Sequence, residues 1–210
     1  MRRFIIWPAF PAVFHRRLFP LLLAGLLLLP AACGRSLPTR FYLLTPQTST
    51  ETEATGEPLT IGVGPVELPD YLDRPQILTR AGDHEIRFAE FDQWAGSLKS
   101  NITYVMAENL SARLGRDTVY TYPWRAAVRV GIQATVTVVR LDAVPDGDAT
   151  LEARWSLLGE DGRRVLLTRR STFRTPVNGA DYAAIVDAQS HLFDALSAEI
   201  ADAIGDWSTP

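Results

Sequence analysis

The chain has 210 residues, 47% of them hydrophobic and 21% charged, the balance of one ordinary globular domain, which excludes long disorder, a collagen-like repeat and a polytopic membrane protein. Its formal net charge of −3, from 21 Lys+Arg against 24 Asp+Glu, speaks against a generalised nucleic-acid binder. One cysteine, Cys33, and three histidines, His15, His84 and His191, leave no material for a disulfide framework or a cysteine-based zinc site.

The N-terminus reads as an address and an anchor. Arg2, Arg3, Arg16 and Arg17 precede the uncharged run from Leu18 to Leu29, and no acid occurs before Glu51. Twelve apolar residues are too few to span a bilayer, which needs about 20, but a positive flank, a short apolar core and small Ala31-Ala32 are the order of a secretory signal peptide. Leu29-Pro30-Ala31-Ala32-Cys33-Gly34 then resembles the lipobox of bacterial lipoproteins, with Pro30 where that pattern prefers Leu. The resemblance implies acylation of Cys33, and Gly34 rather than Asp after it implies sorting to the outer membrane. Each acyl CH₂ in lipid contributes about 0.8 kcal/mol, so several chains on one residue hold firmly. Removing the leader takes four arginines, leaving 17 cations against 24 anions, a charge near −7. Lipid rather than a basic surface would hold such a body to a membrane. The chain thus divides into a signal peptide over 1–32, a lipidated tether over 33–38 and one domain over 39–207.

Within the domain, Arg40 to Leu44 is rich in aromatic and branched residues and predicts a strand, followed by a loop from Gln47 to Glu57 without large apolar residues. Leu59 to Val66 predicts a second strand, Leu68 to Pro75 an ordered two-proline turn, and Ile77 to Arg80 with Glu85 to Phe88 a hairpin around Gly82-Asp83. Leu98, Ile102, Val105, Met106 and Leu110 recur at helical steps, with Ser97 as N-cap and Gly115 as stop. Val119 to Tyr122 is a short strand. Val128 to Val138 alternates apolar with polar residues, as does Leu151 to Leu157, and turns at Asp146-Gly147 and Asp161-Gly162 lead on to Val165 to Arg174. Asp181 caps a last helix whose apolar stripe runs from Tyr182 to Ile204, with Gly205 as its expected end. The sum is α+β: an antiparallel or mixed β-sheet with two amphipathic helices packed on one face, in a single domain.

Catalytic signals are sparse. Gly62-Val63-Gly64 is followed by Pro65 rather than a helix and cannot cradle phosphate; the glycines instead permit close backbone approach. Gly96-Ser97-Leu98 lacks the spacing of a nucleophile elbow. Asp83-His84-Glu85 falls at a hairpin tip, and His191 beside the stripe of the last helix, where polar residues are expected. Arg163, Arg164, Arg169, Arg170 and Arg174 form one basic cluster, with Arg170 and Arg174 on one strand face. A partner surface and simple protection of a sheet edge both explain it. No cofactor and no metal are called for.

Phe41-Tyr42-Leu43-Leu44, the run Val63-Gly64-Pro65-Val66-Glu67-Leu68-Pro69-Asp70-Tyr71-Leu72-Asp73-Arg74-Pro75-Gln76-Ile77, and Trp94-Ala95-Gly96-Ser97-Leu98 with its helix together resemble the ABC-type transport auxiliary lipoprotein family, the PqiC/YmbA group, over about Phe41 to Ile204. The resemblance implies a non-enzymatic envelope lipoprotein. Its implied partners are an MCE-domain (PqiB-like) protein and inner-membrane transporter subunits that move lipid between membranes. A periplasmic lipoprotein hydrolase and a general envelope scaffold are the alternatives. Tyr71, Leu72 and Trp94 are apolar anchors for a partner or else core residues, and Arg170 and Arg174 are the candidate polar contacts. A mature chain of 178 residues, 210 less the 32 of the leader, is too small to enclose both a core and a lipid-wide channel. Any conduit would form between copies, which predicts a homo-oligomer, with a ring as the closed arrangement.

Overall fold

The apolar stripe anticipated from Leu98 becomes α1 (Leu98–Leu114), closed at both ends by its own sequence. Ser97 accepts a hydrogen bond from the Ser100 amide at 3.3 Å, and Gly115 takes the left-handed conformation, φ 60°, that ends the helix. The structure, a computed structural model, describes residues 37–47, 59–159 and 162–208. The leader and Cys33 lie outside the described residues, as do most of the loop after Gln47 and the tip at Asp161. Every element belongs to one compact unit, Thr39–Pro210.

The strands are β1 (Arg40–Tyr42), β2 (Ile61–Glu67), β3 (Gln76–Arg80), β4 (Ile86–Trp94), β5 (Val119–Thr121), β6 (Ile132–Ala143), β7 (Asp148–Leu158) and β8 (Val165–Pro176). They form two sheets, ordered β1-β4-β3 and β5-β2-β6-β7-β8. The hairpins β3–β4, β6–β7 and β7–β8 are antiparallel, as their turns require. β1 runs parallel to β4, and β2 runs parallel to both β5 and β6, so the sheets are mixed. The last helix, α2 (Tyr182–Ser208), begins with Asp181 accepting the Ala184 amide at 2.8 Å.

Several boundaries differ from the sequence reading: β4 runs on past the expected Phe88 to Trp94, β7 starts at Asp148 and β1 ends at Tyr42, and two further differences have a plain packing cause. β6 starts at Ile132 because Val128 and Val130 belong to a segment folded over the sheet: a Cβ on Gly62 would lie 2.7 Å from the Trp124 ring and 3.0 Å from Val130. Their alternation reflects packing of a cover. α2 continues through Gly205 because Ile200, Ala201, Ala203 and Ile204 are buried, which outweighs the roughly 1 kcal/mol cost of a helical glycine.

Alternation along the five-stranded sheet sends Ile61, Val63, Ala134, Val136, Leu151, Ala153, Trp155 and Leu157 to the face covered by the helices, where they are buried with Phe193, Leu196 and Ile200. Trp155 Nε1 donates to Ser171 Oγ at 3.1 Å, and Ser171 donates to Glu199 at 2.9 Å, so the indole and the hydroxyl are both satisfied. The stretch after β1 crosses the helices and is held by their side chains. Leu44 exchanges two hydrogen bonds with Asn101, at 2.7 and 3.2 Å, while the Thr45 and Gln47 amides donate to Ser190 and Asn109 at 3.2 and 3.1 Å.

Candidate functional site

The turn from Leu68 to Pro75 is ordered by its own backbone: the Leu72 amide donates to the Pro69 carbonyl and the Arg74 amide to that of Leu72, both at 2.9 Å. The Trp94 amide donates to the Pro75 carbonyl at 2.7 Å, which joins the turn to the end of β4. Leu72 and Trp94 are only 5% and 6% exposed and are therefore core residues of this corner. Tyr71 is half-buried, packed on the core with part of its ring at the surface. Beside it Arg80 of β3 and Arg140 of β6 both donate to Asp142, each through Nε at 2.7 Å. Burial pushes the Asp142 carboxyl up, yet hydrogen bonds from Arg140 and Arg80 outweigh it and hold its pKa below the usual value. Burial raises the Tyr71 phenol, helped by the Asp142 charge and opposed by Arg80 and Arg140. This network fastens the small sheet to the large one.

From there a polar surface runs across the sheet face that the helices leave uncovered. Arg140 stands opposite Glu152 in the β6–β7 register, and Glu152 is ion-paired with Arg170 of β8. Arg170 in turn stands opposite Arg154, and Arg174 opposite Thr150. Like charges directly opposed across strands are destabilising, and among the described residues Arg154 and Arg174 form no ion pair. Tyr71 and Arg170, read apart in the sequence, are thus linked through Arg140 and Glu152, and Arg174 lies on the same face of β8 as the sequence reading expected. The arginine cluster does not stay whole: Arg169 turns to the other face, over the Trp155 ring at 5.8 Å and 3.8 Å from Glu199. At one end the Tyr71 corner covers this face, and at the other the segment carrying Trp124 does.

The family model for the ABC-type transport auxiliary lipoprotein component matches residues 42–201. The chain belongs to that family. Solved structures agree on the fold. One of an uncharacterized protein is 20% identical with a TM-score of 0.64, the alignment covering 80% of this chain and 99% of that one. Another, a Xanthomonas campestris protein of the family model DUF330, is 18% identical with a TM-score of 0.66, covering 78% and 93%. No curated protein matches the chain.

The remaining sequence candidates sit in this auxiliary lipoprotein as ordinary structure. Gly64 has φ 110°, and a Cβ there would lie 2.9 Å from that of Tyr122; close backbone approach is the use of both glycines. Ser97 is engaged as a cap. Asp83, His84 and Glu85 are exposed at the β3–β4 tip, and His191 lies 3.8 Å from Asp187 one turn earlier on α2. Among the described residues no group of three His, Cys, Asp or Glu could hold a metal ion, and no helix is long and apolar enough to cross a membrane. One feature escaped the sequence reading: Tyr104 and Tyr122 expose their rings at a cleft of about 470 Å³ lined also by Val66, Lys99 and Thr103. Tyr122 packs edge-on against Trp124 at 5.4 Å. The run Tyr120-Thr121-Tyr122-Pro123-Trp124 carried the signal.

Proposed function

We propose that this auxiliary lipoprotein is anchored by acylated Cys33 to the periplasmic face of the outer membrane and docks onto the MCE-domain (PqiB-like) protein of an intermembrane lipid transport system served by inner-membrane transporter subunits. It does so without catalysing a reaction. The observation that carries the reading is the family match over 42–201, joined to a surface from Tyr71 to Arg174 on which Glu152 takes Arg170 while, among the described residues, Arg154 and Arg174 form no ion pair. An acidic partner surface would relieve that imbalance, and the half-buried Tyr71 is the residue type that concentrates binding energy at interfaces. The working form is a homo-oligomer, since copies anchored in one leaflet meet at high effective concentration.

The test has two arms. Cys33→Ser is expected to lose incorporation of a palmitate analogue, and equal label in the variant would remove the anchor from the proposal. Capture of the MCE-domain protein is expected to weaken about tenfold in the double variant Arg170→Glu, Arg174→Glu. Undiminished capture would move the docking surface elsewhere.

A further inference from the structure

Two large apolar side chains stand in solvent at the start of the domain, one on β1 and one directly after it. Phe41 is 64% exposed and Leu43 54%. Their neighbours turn the other way: Arg40 and Tyr42 both reach Asp92, at 2.8 Å each, and Leu44 is buried. Phe41 and Leu43 therefore share the side of the chain facing away from the domain. The position is stiff, because β1 is laddered to β4, the Ala95 amide donates to the Tyr42 carbonyl at 2.9 Å, and Asn101 grips Leu44 from both sides. Nothing in this clamp allows the two side chains to swing inward.

We infer that this face, Phe41 on β1 and Leu43 directly after it, rests in the interfacial zone of the phospholipid bilayer and so sets how the domain stands on its membrane. The inference rests on the reading of Cys33 as the acylated anchor. Cys33 is seven residues from Arg40, and seven residues span at most about 25 Å. A domain of this size is roughly 40 Å across. The tether is thus shorter than the body it holds, and β1, where it enters the fold, is the element kept nearest the lipid. An aromatic and a leucine side chain there gain by leaving water for the headgroup–acyl boundary. One amphipathic strand adds a second attachment to the lipid one and removes most of the freedom to tumble on the tether.

Acylation consumes the thiol of Cys33, the one cysteine of the chain, so a cysteine introduced elsewhere takes a thiol-reactive label alone. Phe41→Cys, Leu43→Cys and, as a control on the large sheet, Val165→Cys (60% exposed in the native chain) would each carry a nitrobenzoxadiazole label. The full acylated proteins would be placed in phosphatidylcholine vesicles with and without doxyl-labelled phosphatidylcholine. Labels at 41 and 43 are expected to shift to the blue and to be quenched about three-fold more strongly than the label at 165. Equal quenching at all three sites, with Cys33 shown to be acylated by intact mass, would overturn the membrane-facing strand while leaving the anchor standing. A mass without acyl chains would instead overturn the anchor, and the tether argument with it.

Discussion

On one side of the five-stranded sheet Val136, Trp155 and Ser171 are sealed beneath the helices; one residue along each strand, on the other side, Thr137, Arg154 and Arg170 meet solvent. The same strands serve both sides, and the difference lies in what their side chains answer to. The sealed side is fixed by packing, where even its polar atoms, Trp155 Nε1 and the Ser171 hydroxyl, are bonded. The open side is fixed by charge, is covered only at its two ends, and leaves arginines short of partners. Stability is concentrated on the first side and recognition is free to occupy the second.

That contrast can be broken in graded steps. Trp155→Ala is expected to cost the most, about 3–5 kcal/mol, as a lower midpoint in urea denaturation, because it opens a cavity under α2 and strips Ser171 of a donor. Asp142→Asn comes next at about 2 kcal/mol, less than for a wholly buried pair because both arginines reach solvent. This variant has a pH signature. The folded chain binds the Asp142 proton more weakly than the unfolded chain does, so the network's contribution is complete above the unfolded carboxyl pKa of about 4. It disappears as the pH falls through the lower folded value, and wild type and Asp142→Asn should therefore converge in acid. Gly62→Ala, which drives a methyl into Trp124 on the covered end of the open side, is expected to cost about 1–2 kcal/mol and to alter tryptophan emission. Arg174→Glu should move the midpoint by no more than about 0.5 kcal/mol while weakening partner capture. A large loss of stability there would erase the division of labour between the two sides.

Legibility in the sequence followed distance along the chain. α1 could be bounded to the residue because Ser97, its stripe and Gly115 act within a few residues of one another. The hairpins of β6, β7 and β8 were legible for the same reason. The parallel seating of β2 between β5 and β6 was not, since it joins residues such as Ile61 and Ile132 through intervening elements. Val128 and Val130 imitated a strand because a segment packed over a sheet also alternates. Tyr71 and the Arg170/Arg174 pair were visible apart, but the bridge from Tyr71 to Arg170 depends on Arg140 and Glu152 meeting across a register, and Arg80 reaches Asp142 over 62 positions. Leu72 and Trp94, open as anchors or core, are placed by their burial in the core.

The way the chain enters the domain also determines how the fold bears load. Any tension arriving through the residues before Arg40 meets β1, whose ladder to β4 is parallel, then the crossing stretch held by Asn101, Ser190 and Asn109. A pull along such a strand shears its bonds together instead of parting them one at a time, and it is passed on to both helices within a few residues. Extension of single molecules by the N-terminus would read this as one abrupt rupture, and Asn101→Ala should lower the force at which it occurs. In a domain loaded through its N-terminus, the first strand is the rivet.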